Sequence, residues 1–71
     1  MQRTATVLIE STTKTPTRIF INDELFIDDV LHSSSKYTFT YLSTLENDKI
    51  TLTNLQASQT HDLPTTNHII M

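Results

Sequence analysis

A chain of 71 residues has room for one domain, and a domain this small buries only about 60% of the surface its unfolded chain exposes. It contains no cysteine and no glycine, which excludes disulfides, thiolate metal sites and every glycine-dependent loop, from the Walker and dinucleotide-binding loops to the EF-hand. A formal net charge of −3, with Arg3, Lys14, Arg18, Lys36 and Lys49 scattered along the chain, argues against a protein that tracks nucleic-acid phosphates.

In chain order, the first predicted strand covers residues 5–10, with Val7 and Ile9 on one face and Thr6, Leu8 and Glu10 on the other. Residues 11–17 are rich in Ser and Thr and include Pro16, which cannot donate to a strand ladder, so they read as a loop. A second strand is predicted over 18–22, with Ile19 and Ile21 opposite Phe20, and a third over Leu25, Phe26 and Ile27. Asn22, Asp23 and Glu24 supply turn chemistry between them, which makes the pair a hairpin. The third strand ends near Asp28-Asp29 or continues through Val30 and Leu31 past a bulge. Residues 32–36 then form a polar connection centred on Ser33-Ser34-Ser35.

Residues 36–45 carry the strongest alternation, with Tyr37, Phe39 and Tyr41 on one face and Thr38, Thr40, Leu42 and Thr44 on the other. A polar loop at 46–49 leads to Ile50 and Leu52, which lie opposite Thr51, Thr53 and Leu55, and the two runs read as a second hairpin. Ser43 and Glu46 have the spacing of a helix capping box, but the β-branched and aromatic content on both sides favours strands. Without glycine, any position at positive φ falls to another residue, and Asn22, Asp23, Asn47 and Asp48 are the candidates. Beyond Gln56 the pattern decays into a polar loop or tail containing Pro64. Residues 67–71 turn apolar again, as an edge strand or an arm reaching a neighbour. The sequence predicts an all-β fold, a small antiparallel sandwich or open barrel of five to six strands built from two hairpins, with its core in residues 1–55 and a polar tail over 56–71. The general look is that of compact Ig-like or prealbumin-like modules, a likeness of architecture that supplies no function.

Three sets of side chains are candidates for chemistry. The carboxylates Asp23, Glu24, Asp28 and Asp29, with Asp48 from another loop, are candidate Ca²⁺ ligands, because this hard cation takes roughly six to eight oxygens. Turn formation and the protection of strand edges are their ordinary structural uses. The histidines His32, His61 and His68 lack zinc-site spacing, and His32 does not face Ser33 on an extended segment. The aromatic row Tyr37, Phe39 and Tyr41 stacks on bases or sugars if exposed, and fills the core if buried. No nucleophile elbow or other catalytic motif is present, so neither an enzyme nor a cofactor is expected.

Hydrophobic residues make up 37% of the chain and charged residues 18%, both low, and threonine supplies much of the difference. Thr6, Thr38, Thr40, Thr44, Thr51 and Thr53 are expected to form a wide uncharged surface that a partner covers without desolvating ions. With disulfides excluded, self-association or docking remains as a way to support a thin core. The leading expectation is a non-enzymatic structural or interaction module that self-associates or docks onto a larger assembly, such as a virion or surface filament. Its contacts would come from Tyr37, Phe39 and Tyr41 and from the arm Ile69, Ile70 and Met71. The alternative is a binding module for oligosaccharide or single-stranded nucleic acid, or a small acidic inhibitor of a host enzyme. No apolar run approaches a membrane span, and residues 5–9 are too short and too interrupted by Thr for a secretory signal.

Overall fold

A computed structural model describes residues 2–11, 15–30 and 36–71, apart from the side chain of Asp29. Among the described residues there are seven strands and no helix: β1 (Arg3–Glu10), β2 (Thr17–Ile21), β3 (Glu24–Val30), β4 (Lys36–Ser43), β5 (Asp48–Thr53), β6 (Ser58–Leu63) and β7 (His68–Ile70). They form a three-stranded sheet in the order β4-β1-β7 and a four-stranded sheet in the order β3-β2-β5-β6. The two pack as a small sandwich, so the all-β expectation holds with seven strands in place of five or six.

Period-two alternation builds the core from both sheets. Val7 and Ile9 of β1, Phe39 of β4 and Ile69 of β7 face Ile19 of β2, Ile50 and Leu52 of β5 and Leu63 of β6. Each such side chain contributes about 1.5–3 kcal/mol when fully buried. Ala5, Ile21, Ile27, Val30, Tyr37, Tyr41 and Met71 pack around this centre.

The predicted hairpin between β2 and β3 is present, with Ile21 opposite Glu24. Its two loop residues, Asn22 and Asp23, have φ of 52° and 68°. This is the I′ geometry, whose twist matches that of the flanking strands and which Asn and Asp tolerate best after glycine. The β2–β3 register shifts between Thr17 and Ile19 and again between Ile19 and Phe20, and β3 continues to Val30 past this irregularity; Leu31 lies outside the described residues.

The second predicted hairpin is not formed. β4 pairs antiparallel with β1 along its length, from Arg3↔Ser43 to Glu10↔Lys36, whereas β5 pairs with β2 and β6. The 44–47 connection therefore carries the chain from one sheet to the other. Two alternating strands satisfy the same burial pattern side by side or face to face, so local periodicity does not separate these arrangements. Of the four candidates for positive φ, Asn22 and Asp23 adopt it and Asn47 and Asp48 do not.

The true second hairpin joins β5 to β6, in the segment expected to be loop or tail. Asn54 Oδ1 accepts the backbone N–H groups of Gln56 and Ala57, both at 2.8 Å, and forms its turn. The apolar end is an edge strand of its own sheet. β7 runs parallel to β1 with Ile9 opposite Ile69, and Leu8 N–H to Asn67 O and Met71 N–H to Glu10 O, both 2.9 Å, bracket the pairing. Leu63 and Ile69 extend the core past residue 55. Lys14, His32 and Ser33-Ser34-Ser35 lie outside the described residues.

Candidate interaction surface

One end of the sandwich is organised by a buried carboxylate. Asp48, at the start of β5, is 4% exposed. It accepts hydrogen bonds from Tyr41 Oη at 2.8 Å, from Asn22 Nδ2 at 2.9 Å and from the Ser43 hydroxyl. Leu45 N–H donates in turn to Ser43 Oγ at 3.3 Å, which holds the corner after β4. Arg3 of β1 approaches Asp48 at 3.4 Å, long for a charge-assisted bond, so its contribution is mainly charge. Arg3 Nε is buried without a hydrogen-bond partner. The donors come from β1, β4 and the β2–β3 turn, so this acid ties the two sheets together.

Burial alone would raise the Asp48 pKa, but the hydrogen bonds from Ser43, Asn22 and Tyr41 and the charge of Arg3 outweigh it and hold the carboxyl below its ordinary value. Burial, followed by the hydrogen bond to the Asp48 carboxylate and its negative charge, pushes the Tyr41 phenol well above its ordinary value. A tightly bound, ionised acid and a protonated phenol make a structural linchpin. Neither group is free to exchange protons near neutrality.

The other proposed Ca²⁺ ligands do not join it. Asp23 pairs with Lys49 Nζ at 2.9 Å, and Asp28 pairs with Arg18 Nε at 2.9 Å across exposed surface. Glu24 is exposed at the start of β3, and the Asp29 side chain lies outside the description. Among the described residues no three His, Cys, Asp or Glu side chains gather to hold a metal ion. His61 sits in β6 with Nε2 3.1 Å from Gln59 Oε1, and His68 in β7 with Nε2 2.6 Å from Glu10 Oε1.

The aromatic row divides. Phe39 is buried, while Tyr37 and Tyr41 are half-buried on either side of it. The Phe26 ring of β3 lies 5.4 Å from Phe39 and 6.0 Å from Tyr41, so it closes over the row from the opposite sheet. These rings work chiefly as packing, and the Tyr41 hydroxyl is committed to Asp48. Of the arm residues, Ile69 is core, Met71 is half-buried against the core and Ile70 is exposed.

The threonines do not form one surface. Thr6, Thr38 and Thr40 lie on the outer face of the three-stranded sheet, with Thr6 Oγ1 and Thr40 Oγ1 3.2 Å apart, whereas Thr51 and Thr53 lie on the outer face of the other sheet. Sequence reasoning missed a different feature, where edge strands β3 and β4 meet. Leu25 is 53% exposed, Phe26 42% and Leu42 61%, and they line a groove of about 400 Å³ with Ile21, Thr40 and Tyr41. The signal in the sequence is Leu42, an apolar residue on a face otherwise made of threonine. A groove of about 490 Å³ at the other end, lined by Pro16, Thr53 and Leu55, is crossed by the Arg18–Asp28 ion pair.

No family model matches the chain, and neither the curated proteins nor the solved structures include a significant match to it. Among the described residues no helix is long and apolar enough to cross a membrane.

Proposed function

We propose that this chain is a non-enzymatic interaction module that associates with a second copy of itself. The observation that carries the reading is the joint exposure of Leu25, Phe26 and Leu42 around one groove, in a chain with only eight hydrophobic side chains buried among its described residues. A protein with so small an interior gains substantially from covering three large apolar side chains. Among the described residues Glu24 is the one charged side chain lining the groove, so contact there desolvates little charge.

Size-exclusion chromatography with light scattering over a wide concentration series tests the reading. The expected result is a mass that rises from the 8.1 kDa of one chain toward twice that value. A mass fixed at one chain throughout the series overturns it.

A further inference from the structure

Among the described residues the sandwich has four edge strands, and three of them carry a device that discourages pairing. β7 has only three residues. β3 pairs irregularly with β2 and carries Glu24 and Asp28. β6 carries the His61-Asp62 pair of polar side chains. β4 differs: it has eight residues, no proline and a regular register with β1, and its one charge, Lys36, stands at its start. Among the described residues no strand pairs with its outer edge. The backbone of such a strand is a template for another strand.

We infer that β4 pairs antiparallel with β4 of a second copy across a two-fold axis at Thr40, which joins two three-stranded sheets into one of six. The inference rests on the self-association reading above and names its surface. Three observations select a second copy and this register.

The first is face matching. Residues directly opposite in an antiparallel pair share a face, so a two-fold must fall on a residue and not between two. Centring on Thr40 sets Thr38 opposite Leu42 of the partner and Phe39 opposite Tyr41 of the partner; centring on Phe39 would engage as many residues of β4 but set Lys36 opposite Leu42 of the partner and farther from the partner's Glu46. The second is charge. Lys36 marks one end of β4, while Glu24 lines the groove beside Leu42 and Glu46 follows the strand at the other end. Antiparallel pairing brings the basic end of each copy to the acidic end of the other and keeps like charges a strand length apart, about 27 Å. The third is continuity with the groove. Leu25 and Phe26 stand beside the same edge, so pairing covers them together with Leu42.

Thr40 is exposed, so replacements there disturb the single chain little. Thr40→Lys and Thr40→Glu each place like charges face to face at the two-fold, and each is expected to weaken dimerisation about tenfold or more. An equimolar mixture of the two variants is expected to recover it as a mixed dimer. Thr40→Cys introduces the chain's only thiol and is expected to form a disulfide-linked dimer on mild oxidation. Far-ultraviolet circular dichroism and thermal unfolding establish that each variant is folded. If the unaltered chain dimerises while the charge variants dimerise equally well, or the mixture fails to recover assembly, β4 pairing at Thr40 is overturned and self-association stands. If the unaltered chain is a monomer at every concentration, both fall together.

Discussion

Two polar connections in this chain look alike in sequence and do opposite things. Asn22-Asp23 and Glu46-Asn47-Asp48-Lys49 both separate runs of β-branched and aromatic residues. The first closes a hairpin within one sheet, with both of its residues at positive φ. The second follows a corner that leaves one sheet for the other, and its Asp48 is drawn inside. Three hydrogen-bond donors and the Arg3 guanidinium offset the desolvation of that carboxylate. The two connections then fasten to each other. Asn22 Nδ2 donates to Asp48, Lys49 N–H donates to Asn22 Oδ1 at 2.9 Å, and Asn22 N–H donates to Lys49 O at 2.8 Å.

The comparison is broken most severely at Asp48. Asp48→Ala strands the Ser43, Tyr41 and Asn22 donors and leaves Arg3 without its partner. It is expected to cost about 3–5 kcal/mol, measured by urea unfolding. Total stability for a chain of this length is roughly 4–10 kcal/mol, so the variant should be close to unfolded. Titration probes the same hub more gently. Because the folded pKa of Asp48 is lowered, its contribution is complete above the unfolded value of about 3.9 and is lost as pH falls through the folded value. Because the folded pKa of Tyr41 is raised, its contribution is complete below about pH 10 and is lost as pH rises beyond that. Thermal unfolding against pH should therefore decline at both extremes. Tyr41→Phe should remove the Tyr41 part of the alkaline loss and also shrink the acid one, because the phenol is one of the donors that lower the Asp48 pKa.

Asn22→Ala removes two side-chain hydrogen bonds and puts alanine at positive φ, with an expected loss of about 2 kcal/mol in denaturant unfolding. The smallest effect sharpens the contrast between the two connections. Asp23→Gly relieves a positive φ and gives up only an exposed ion pair, so it should change stability by less than about 1 kcal/mol in either direction. Asn47→Gly relieves nothing, because Asn47 is not at positive φ, and it should only destabilise.

What the sequence disclosed follows the range of each signal. Val7 and Ile9, the row Tyr37-Phe39-Tyr41 and the Asn22-Asp23 turn are local patterns, and each appears in the fold as read. β6 was hidden because Ser58-Gln59-Thr60-His61-Asp62 is polar on both faces. Only Leu63 reaches the core from it, and its partner β5 supplies the reason to be a strand. The Asp48 hub was hidden for a different reason. Its members stand at positions 3, 22, 41, 43 and 48, and sheet topology alone brings them together. The strand partners of β4 and β7 were equally illegible, because alternation specifies a face and not a neighbour. The role of residues 67–71 illustrates the consequence. Their deletion would remove core residue Ile69, so loss of assembly in such a truncation would report unfolding and not a lost docking arm.

The parallel pairing of β7 with β1 also sets how this molecule bears load. A pull between Arg3 and Met71 draws the two strands in opposite directions along their common axis. The rungs from Leu8 N–H to Met71 N–H are then strained in shear and share the tension, whereas a peeling geometry would open them one at a time. Under such a pull β7 would hold against β1 as a clasp.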